Sequence, residues 1–472
     1  MKRRDLIIVL AVLAFGVIYN FIESGEVYFS DGCSSRRWGL QDMKHPNSFP
    51  RPELRYADSG IREIEFDNTA GGIEVVKSIG NEIRIQPEVR VFHRDRGEAT
   101  ELEKEVIITP TRLKEDNGRL RITVKTTEDF NYRRLRVYFK VSIPETVELD
   151  ILNRYGDVTI DGCGKNVCID NIQGDVLVKH VSGDLKIQHK HGKLVVRNIT
   201  GAVELNSSFS RISVTEVTAV KLNCSHADAY LNQVKQETTV EYAAFSDIKF
   251  ETGNGFIFDG KHTGLRLKNI KNGVKISDSH SSIRLEDITG NIDVQANNCR
   301  VRMTQVLSDE VAVNNEFGDV SINDVAAKKI AVQLSHGNLD IDFTEITEQV
   351  SIKNSYSRIR LFYPKAIQPS FNIDLSYGEI KNNTDAKFTL VTEENRVRLT
   401  HTVGAPKITI ENSYDDIHLS NNSATPTQKI IDSQSIQPTQ PSVLPTQKVE
   451  TEEFKKIEET QPTKTPTTSS QG

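Results

Sequence analysis

Five histidines, His191, His226, His262, His280 and His336, recur at spacings near multiples of 18 residues, and neutral imidazole is the side chain most often used to bind metal ions. They belong to a longer column, Tyr155, Gln173, His191, Phe209, His226, Phe245, His262, His280, Asn298, Phe317, His336, Tyr356, Tyr377, Asn395 and Tyr414, whose members stand 17 to 21 residues apart. A metal centre needs three or four donors converging on one point. This column alternates His with Phe, Tyr and Asn, and only His262 and His280 are successive imidazoles. It reads as a structural ladder of flat side chains stacked at a turn, with no metal and no cofactor implied.

A cationic set has a different chemistry. Four residues beyond the ladder, or three in the last case, every other repeat places Lys249, Arg266, Arg284, Arg302, Ser321, Asp340, Arg360, Lys381 and Arg398 at the middle of a short strand, with Arg300 and Arg358 nearby. Guanidinium groups hold carboxylate and phosphate through charge-assisted hydrogen bonds. Like charges at strand spacing repel, so such a row needs solvent, acids such as Asp247 and Glu286, or an anionic ligand to offset it. The expected binding residues are Lys249, Arg266, Arg284, Arg300, Arg302, Arg358 and Arg360, and the expected ligand is an anionic polymer such as a surface glycan. The competing reading is a solvated face whose cations discourage lateral strand pairing. The other face (Lys186, Glu204, Lys221, Glu241, Lys275, Asp293) alternates in sign or is neutral.

Catalytic patterns do not appear. The Gly-Asp pairs at Gly156-Asp157, Gly174-Asp175, Gly183-Asp184 and Gly318-Asp319 lack the fuller G-G-x-G-x-D-x-U-x pattern of calcium-binding solenoids, so Asp reads as a turn former. No Ser-His-Asp, phosphate-loop or H-E-x-x-H signal is present. The turns between Tyr155 and Arg360 are short throughout, which leaves no wall for the clefts that polysaccharide lyases and hydrolases need. The expectation is a protein that is not an enzyme.

These residues are positioned by a repeat. An apolar-x-apolar motif begins at Val158, Val167, Val176, Leu185, Leu194, Val203, Ile212 and onward to Ile359, mostly in nine-residue steps. Alternation puts both apolar members on one side of a strand, and Gly, Ser, Asn, Asp or Thr fill the breaks. The pattern continues more loosely through Phe371, Ile380, Phe388, Val397, Ile408 and Ile417. Since the ladder repeats every second motif, the fold class is an all-β, single-stranded parallel β-solenoid of about 15 two-strand coils, each about 18 residues. At about 4.8 Å per strand this gives a rod of roughly 70 Å. A mostly small column follows the ladder (Gly156, Gly174, Gly192, Ser210, Gly318, Gly337), as a sharp turn requires.

Six segments follow from this reading: a basic flank at 1–5, an apolar anchor at 6–22, a stalk at 23–56, a strand-rich cap at 57–150 with a helix from Ala99 to Ile108, the solenoid at 151–420, and a disordered tail at 421–472. Lys2, Arg3 and Arg4 before the run Leu6 to Ile22 predict a transmembrane helix with the bulk of the chain extracytoplasmic; secretion after signal cleavage is the alternative. The tail is rich in Thr, Gln, Ser and Pro and too polar to bury a core. A net charge of −6 gives no global field for nucleic acid. Of the five cysteines, Cys163 and Cys168 are close enough to pair in an oxidising compartment.

The strand-rich segment ending in Val141-Ser142-Ile143-Pro144, then Leu149-Asp150-Ile151 and Tyr155-Gly156-Asp157-Val158 with its tandem Gly-Asp-apolar-x-apolar units, resembles the family of bacterial "putative adhesin" β-solenoids over residues 57–420. That resemblance implies the solenoid fold and adhesion, and supplies no catalytic residues. The expected function is a membrane-anchored, adhesin-like binding scaffold whose partners are the membrane and an anionic glycan or an envelope protein. A structural or regulatory envelope protein is the alternative.

Overall fold

The structure, a computed structural model, describes residues 46–57, 60–113, 118–126 and 134–422. The predicted flank and anchor, Cys33, and all of the predicted tail beyond Asn422 lie outside those residues. Strands make up 74% with one helix among the described residues, so the class is all-β. No described helix is long and apolar enough to cross a membrane.

Each coil is two strands whose apolar residues face a shared core. One wall stacks Leu149, Val167 and Leu185 in parallel register, and the other stacks Val158, Val176 and Leu194. These residues are at most 2% exposed. Burying a Val, Leu or Ile side chain contributes about 1.5–3 kcal/mol, so every coil adds several such terms while its backbone pairs with the coils on either side.

Both corners of a coil use left-handed backbone. At the ladder, His191, Phe209, His226, Phe245, His262, His280 and Asn298 have φ between 49° and 57°. An L-residue in this region costs roughly 1–2 kcal/mol, and an aromatic pair returns roughly 0.5–1.5 kcal/mol, so ring stacking offsets much of the strain. The second corner was not read from the sequence. It is a polar column, Gly162, His180, Asn198, Glu216, Gln233, Asn269, Asp287, Gln305 and Asp324, again with positive φ. Corner acids and amides also join coils: Asp157, Asp175 and Asp319 accept from the backbone N–H of Asp175, Lys193 and Asn338, and Asn166 and Asp184 accept from those of Asp184 and Ala202. An inward amide finishes the ladder corner from below, Asn153, Asn315 and Asn354 donating to the carbonyls of Gly156, Gly318 and Ser357.

The ends depart from sequence order. The sequential coils make about 11 turns, not 15. Before them, Glu63–Ala70 and Ile73–Lys77 already form a coil against Glu148–Tyr155 and Val158–Cys163, so part of the predicted cap is solenoid. The cap proper lies outside this coil, in Arg119–Thr126, Leu135–Ile143 and the antiparallel strands paired with them. Asn47–Pro50 and Leu54–Tyr56, predicted as stalk, pair with Ile83–Val91. The helix runs Arg96–Lys104, started by Asp95 accepting from Glu98 N–H. The β-branched Val106, Ile107 and Ile108, predicted as its last three residues, enter the strand Val106–Leu113 instead. Pro110 is tolerated there because, among the described residues, this strand pairs on one side only.

At the other end the chain stacks Lys407–Asn412 and Ile417–Asn422 directly on the coil of Val350 and Ile359. Ser370–Ser376 and Ile380–Asn383, earlier in sequence, lie outside them. Ile417 and Leu419 are therefore fully buried. Arg396–His401 and Leu390–Glu393 close one wall as antiparallel strands.

Stacked glycines at the ladder corner leave no room for a side chain. Gly174 has φ of 134°, and a Cβ there would sit 2.1 Å from the Gly156 carbonyl oxygen. Gly174→Ala is expected to destabilise by about 1–3 kcal/mol in urea denaturation. Gly80→Ala, with open space around it, should stay within about 0.5 kcal/mol of the parent.

Candidate functional site: an arginine row on one wall

The register places Lys249, Arg266, Arg284 and Arg302 side by side on consecutive strands of one wall. The row continues through Ser321, Asp340, Arg360, His418 and Lys381. Its flanks are neutralised. Lys249 pairs with Glu251 at 2.5 Å and lies 5.5 Å from the Tyr230 ring centroid. The Lys249 contact, with the Tyr230 hydroxyl, holds the Glu251 carboxyl below its ordinary value. Arg360 pairs with Asp340 at 2.5 Å, and Lys381 pairs with Asp416. Lys268 and Glu286, in the row two residues along, pair with each other at 2.6 Å.

Arg266, Arg284 and Arg302 stand between these flanks, all exposed, and among the described residues none of them is in an ion pair. Arg300, in register with Ser282, adds a fourth exposed guanidinium two residues back. At about 4.8 Å spacing, neighbouring charges repel by roughly 1 kcal/mol in water. The structure thus divides the predicted stripe. Arg266, Arg284, Arg300 and Arg302 form the patch, while Lys249 and Arg360 are internally compensated. Arg358 is half-buried, its Nε without a hydrogen-bond partner. Arg398 does not extend the row: it faces Asp374 on the other wall.

The aromatic ladder is continuous on each side of Asn298. Centroids are 5.1 Å apart for His191–Phe209, 4.8 Å for Phe209–His226 and 4.9 Å for His262–His280. Beyond Asn298 the order is Phe317, His336, Tyr356, Tyr414, Tyr377, at 4.8 to 5.0 Å. Tyr155 occupies the corner of the strand Glu148–Tyr155, below Gln173. Stacked rings spend their faces on each other and turn edges outward, which suits a corner better than a stacking platform. Among the described residues no three His, Cys, Asp or Glu side chains group as metal ligands.

One further sequence expectation is settled by position. Cys163, buried at the end of the strand Val158–Cys163, and Cys168, exposed on the next strand Val167–Gln173, are both free thiols. Burial pushes the thiols of Cys224 and Cys299 up to about 11.

Asp278 occupies an inward corner position taken by Asn in other coils. It accepts from the hydroxyls of Thr263 and Ser281 at 2.7 Å and from Ser279 N–H at 2.8 Å. Burial outweighs these contacts and raises its carboxyl above the ordinary value. A raised carboxyl favours folding when protonated, so this contribution is present below the unfolded value and lost as pH rises through the folded one. Asp278→Asn is expected to raise stability near neutral pH and to flatten its pH dependence above the ordinary aspartate value of about 4, read by urea denaturation at each pH.

Fold and site define an all-β parallel solenoid with an uncompensated arginine patch on one wall. Residues 246–420, which include that patch, match the family model described as Toastrack DUF4097. No curated protein matches the chain. Several solved structures are similar, among them three described as follows. A putative cell adhesion protein from Clostridium sporogenes is 7% identical, covering 80% of this chain and 100% of its own, with a TM-score of 0.16. A putative adhesin from Bacteroides fragilis is 13% identical, covering 80% and 97%, with a TM-score of 0.19. A putative lipid binding protein from Parabacteroides distasonis is 10% identical, covering 79% and 96%, with a TM-score of 0.18.

Proposed function

We propose that this protein is a non-enzymatic, adhesin-like scaffold of the cell envelope that binds an anionic polymer through Arg266, Arg284, Arg300 and Arg302. The observation that carries this reading is the contrast within one row: cations at its flanks have carboxylate partners, and those at its centre have none among the described residues. A polymer bearing carboxylate or phosphate groups along the stacking direction would supply the missing counter-charges, several at once, through charge-assisted hydrogen bonds. Fixed strands hold the Cα positions of these arginines in register, so binding orders their side chains but not their backbone. The basic flank and apolar run at the start of the sequence support anchoring in a membrane with the solenoid outside the cytoplasm.

The purified full chain is expected to bind an anionic glycan such as polygalacturonate or hyaluronate and to release it as salt is raised from about 50 to 500 mM. Replacing Arg266, Arg284 and Arg302 together with Glu should weaken binding by about a hundredfold or more, near 1 kcal/mol per lost contact, with an unchanged melting temperature. Equal binding by parent and variant in a surface-immobilised glycan assay would remove the patch as the site.

A further inference from the structure

The opposite wall carries a different surface. Beside the ladder corner, the ends of its strands enclose an open groove of about 770 Å³. One side is a row in register, Asp259, Ser277, Gln295, Asn314 and Gln333, all exposed. Two residues on, Lys261, Ser279 and Asn297 form a second row, and Glu316 and Ser335 also line the groove. Amides reach across coils: Asn314 Nδ2 donates to Gln295 Oε1 at 3.2 Å, and Asn297 Nδ2 to Glu316 Oε2 at 2.8 Å.

At one end stands Tyr242, whose position depends on a β-bulge. The register slips between Leu222 and Asn223 and again between Val240 and Ala243, so the strand holds one extra residue at Glu241-Tyr242 relative to both neighbours. Bulges re-aim side chains, and here Glu241 and Tyr242 both point outward, with Tyr242 44% exposed. Lys261 Nζ approaches the ring to 5.6 Å from its centroid. Tyr242 is outside the aromatic ladder, so its ring is not consumed by stacking on equivalent rings.

We infer that this groove binds a stretch of uncharged polysaccharide lying along the stacking direction, with Tyr242 against a sugar ring and the Gln295, Asn297, Asn314 and Gln333 amides on its hydroxyls. A sugar hydroxyl is both donor and acceptor, and a carboxamide offers both functions in one side chain. Asp259 and Glu316 outnumber Lys261 in the groove and disfavour an anionic chain, so the two walls select different glycans. The row of five strands spans about 19 Å at strand spacing, room for several sugar units. This site is independent of the arginine patch.

The test titrates the purified full chain with cellohexaose, chitohexaose, maltohexaose and mannohexaose by calorimetry, at about 50 and 500 mM salt. At least one hexasaccharide binds, with a Kd that salt leaves unchanged. Tyr242→Ala, and separately the pair Gln295→Ala and Asn314→Ala, raise that Kd about fivefold or more with parental melting temperatures. Tyr242→Phe, which keeps the ring, and the Arg266/Arg284/Arg302 to Glu variant retain binding. Absence of binding to all four sugars, or binding unaffected by both the Tyr242→Ala and the Gln295/Asn314 changes, would overturn the inference.

Discussion

Parallel, in-register stacking is the constraint on which the rest of this structure depends. A strand inside the solenoid has unpaired backbone groups on both edges, and the coils on either side satisfy them. The register then forces each residue to lie against its equivalent in the next coil. Apolar residues meet apolar residues inside, ladder rings meet ladder rings at the corner, and outward residues form rows. Corner strain is distributed the same way: a left-handed Phe245 is held by His226 and His262 stacked on its two sides at 5.2 and 4.8 Å. Asp and Asn at the corners carry backbone N–H groups of the next coil, so the turns are bonded to one another as well as the strands.

The same constraint creates a difficulty at the ends, where a strand would leave one edge open to pairing with another molecule. The chain meets it by leaving the stack and returning out of order. At the start, the coil of Ile64 and Ile73 is covered by Arg119–Thr126 and Leu135–Ile143. At the finish, the coil of Ile408 and Ile417 is covered by segments that precede it in sequence. Antiparallel strands then close both walls at the start and one wall at the finish, so the parallel stack ends largely in short hairpin-like pairings.

This explains which parts were legible in the sequence. The fold class, the two-strand coil and the ladder follow from periodicity, because stacking demands that every coil repeat the same inward and corner residues. Stacking order does not follow: Phe371, Ile408 and Ile417 carry the same apolar signal whether they stack in sequence or not. The helix was placed too late because its apolar residues merge with the β-branched run from Val106, whereas Asp95 with the acidic Glu98 marks the true start. The second left-handed corner was missed because its residues are varied and polar. The arginine row was legible in composition, but which of its members have carboxylate partners depends on neighbours two residues and one strand away. The bulge at Tyr242 left only a faint trace, a 19-residue ladder interval from His226 to Phe245 followed by 17 to His262.

Function in this account is a consequence of register: a wall of outward residues becomes a site when consecutive coils carry matching chemistry with no internal partner. The most direct measurement moves one charge without changing the total. In Arg284→Ala combined with Ala312→Arg, the central guanidinium leaves the row and reappears on the opposite wall, where Ala312 is in register with Asp293. The affinity of this variant for an anionic glycan, measured against the parent at one low salt concentration, is expected to fall about fivefold or more. Equal affinity would mean that overall charge, and not the alignment of guanidiniums, governs the interaction.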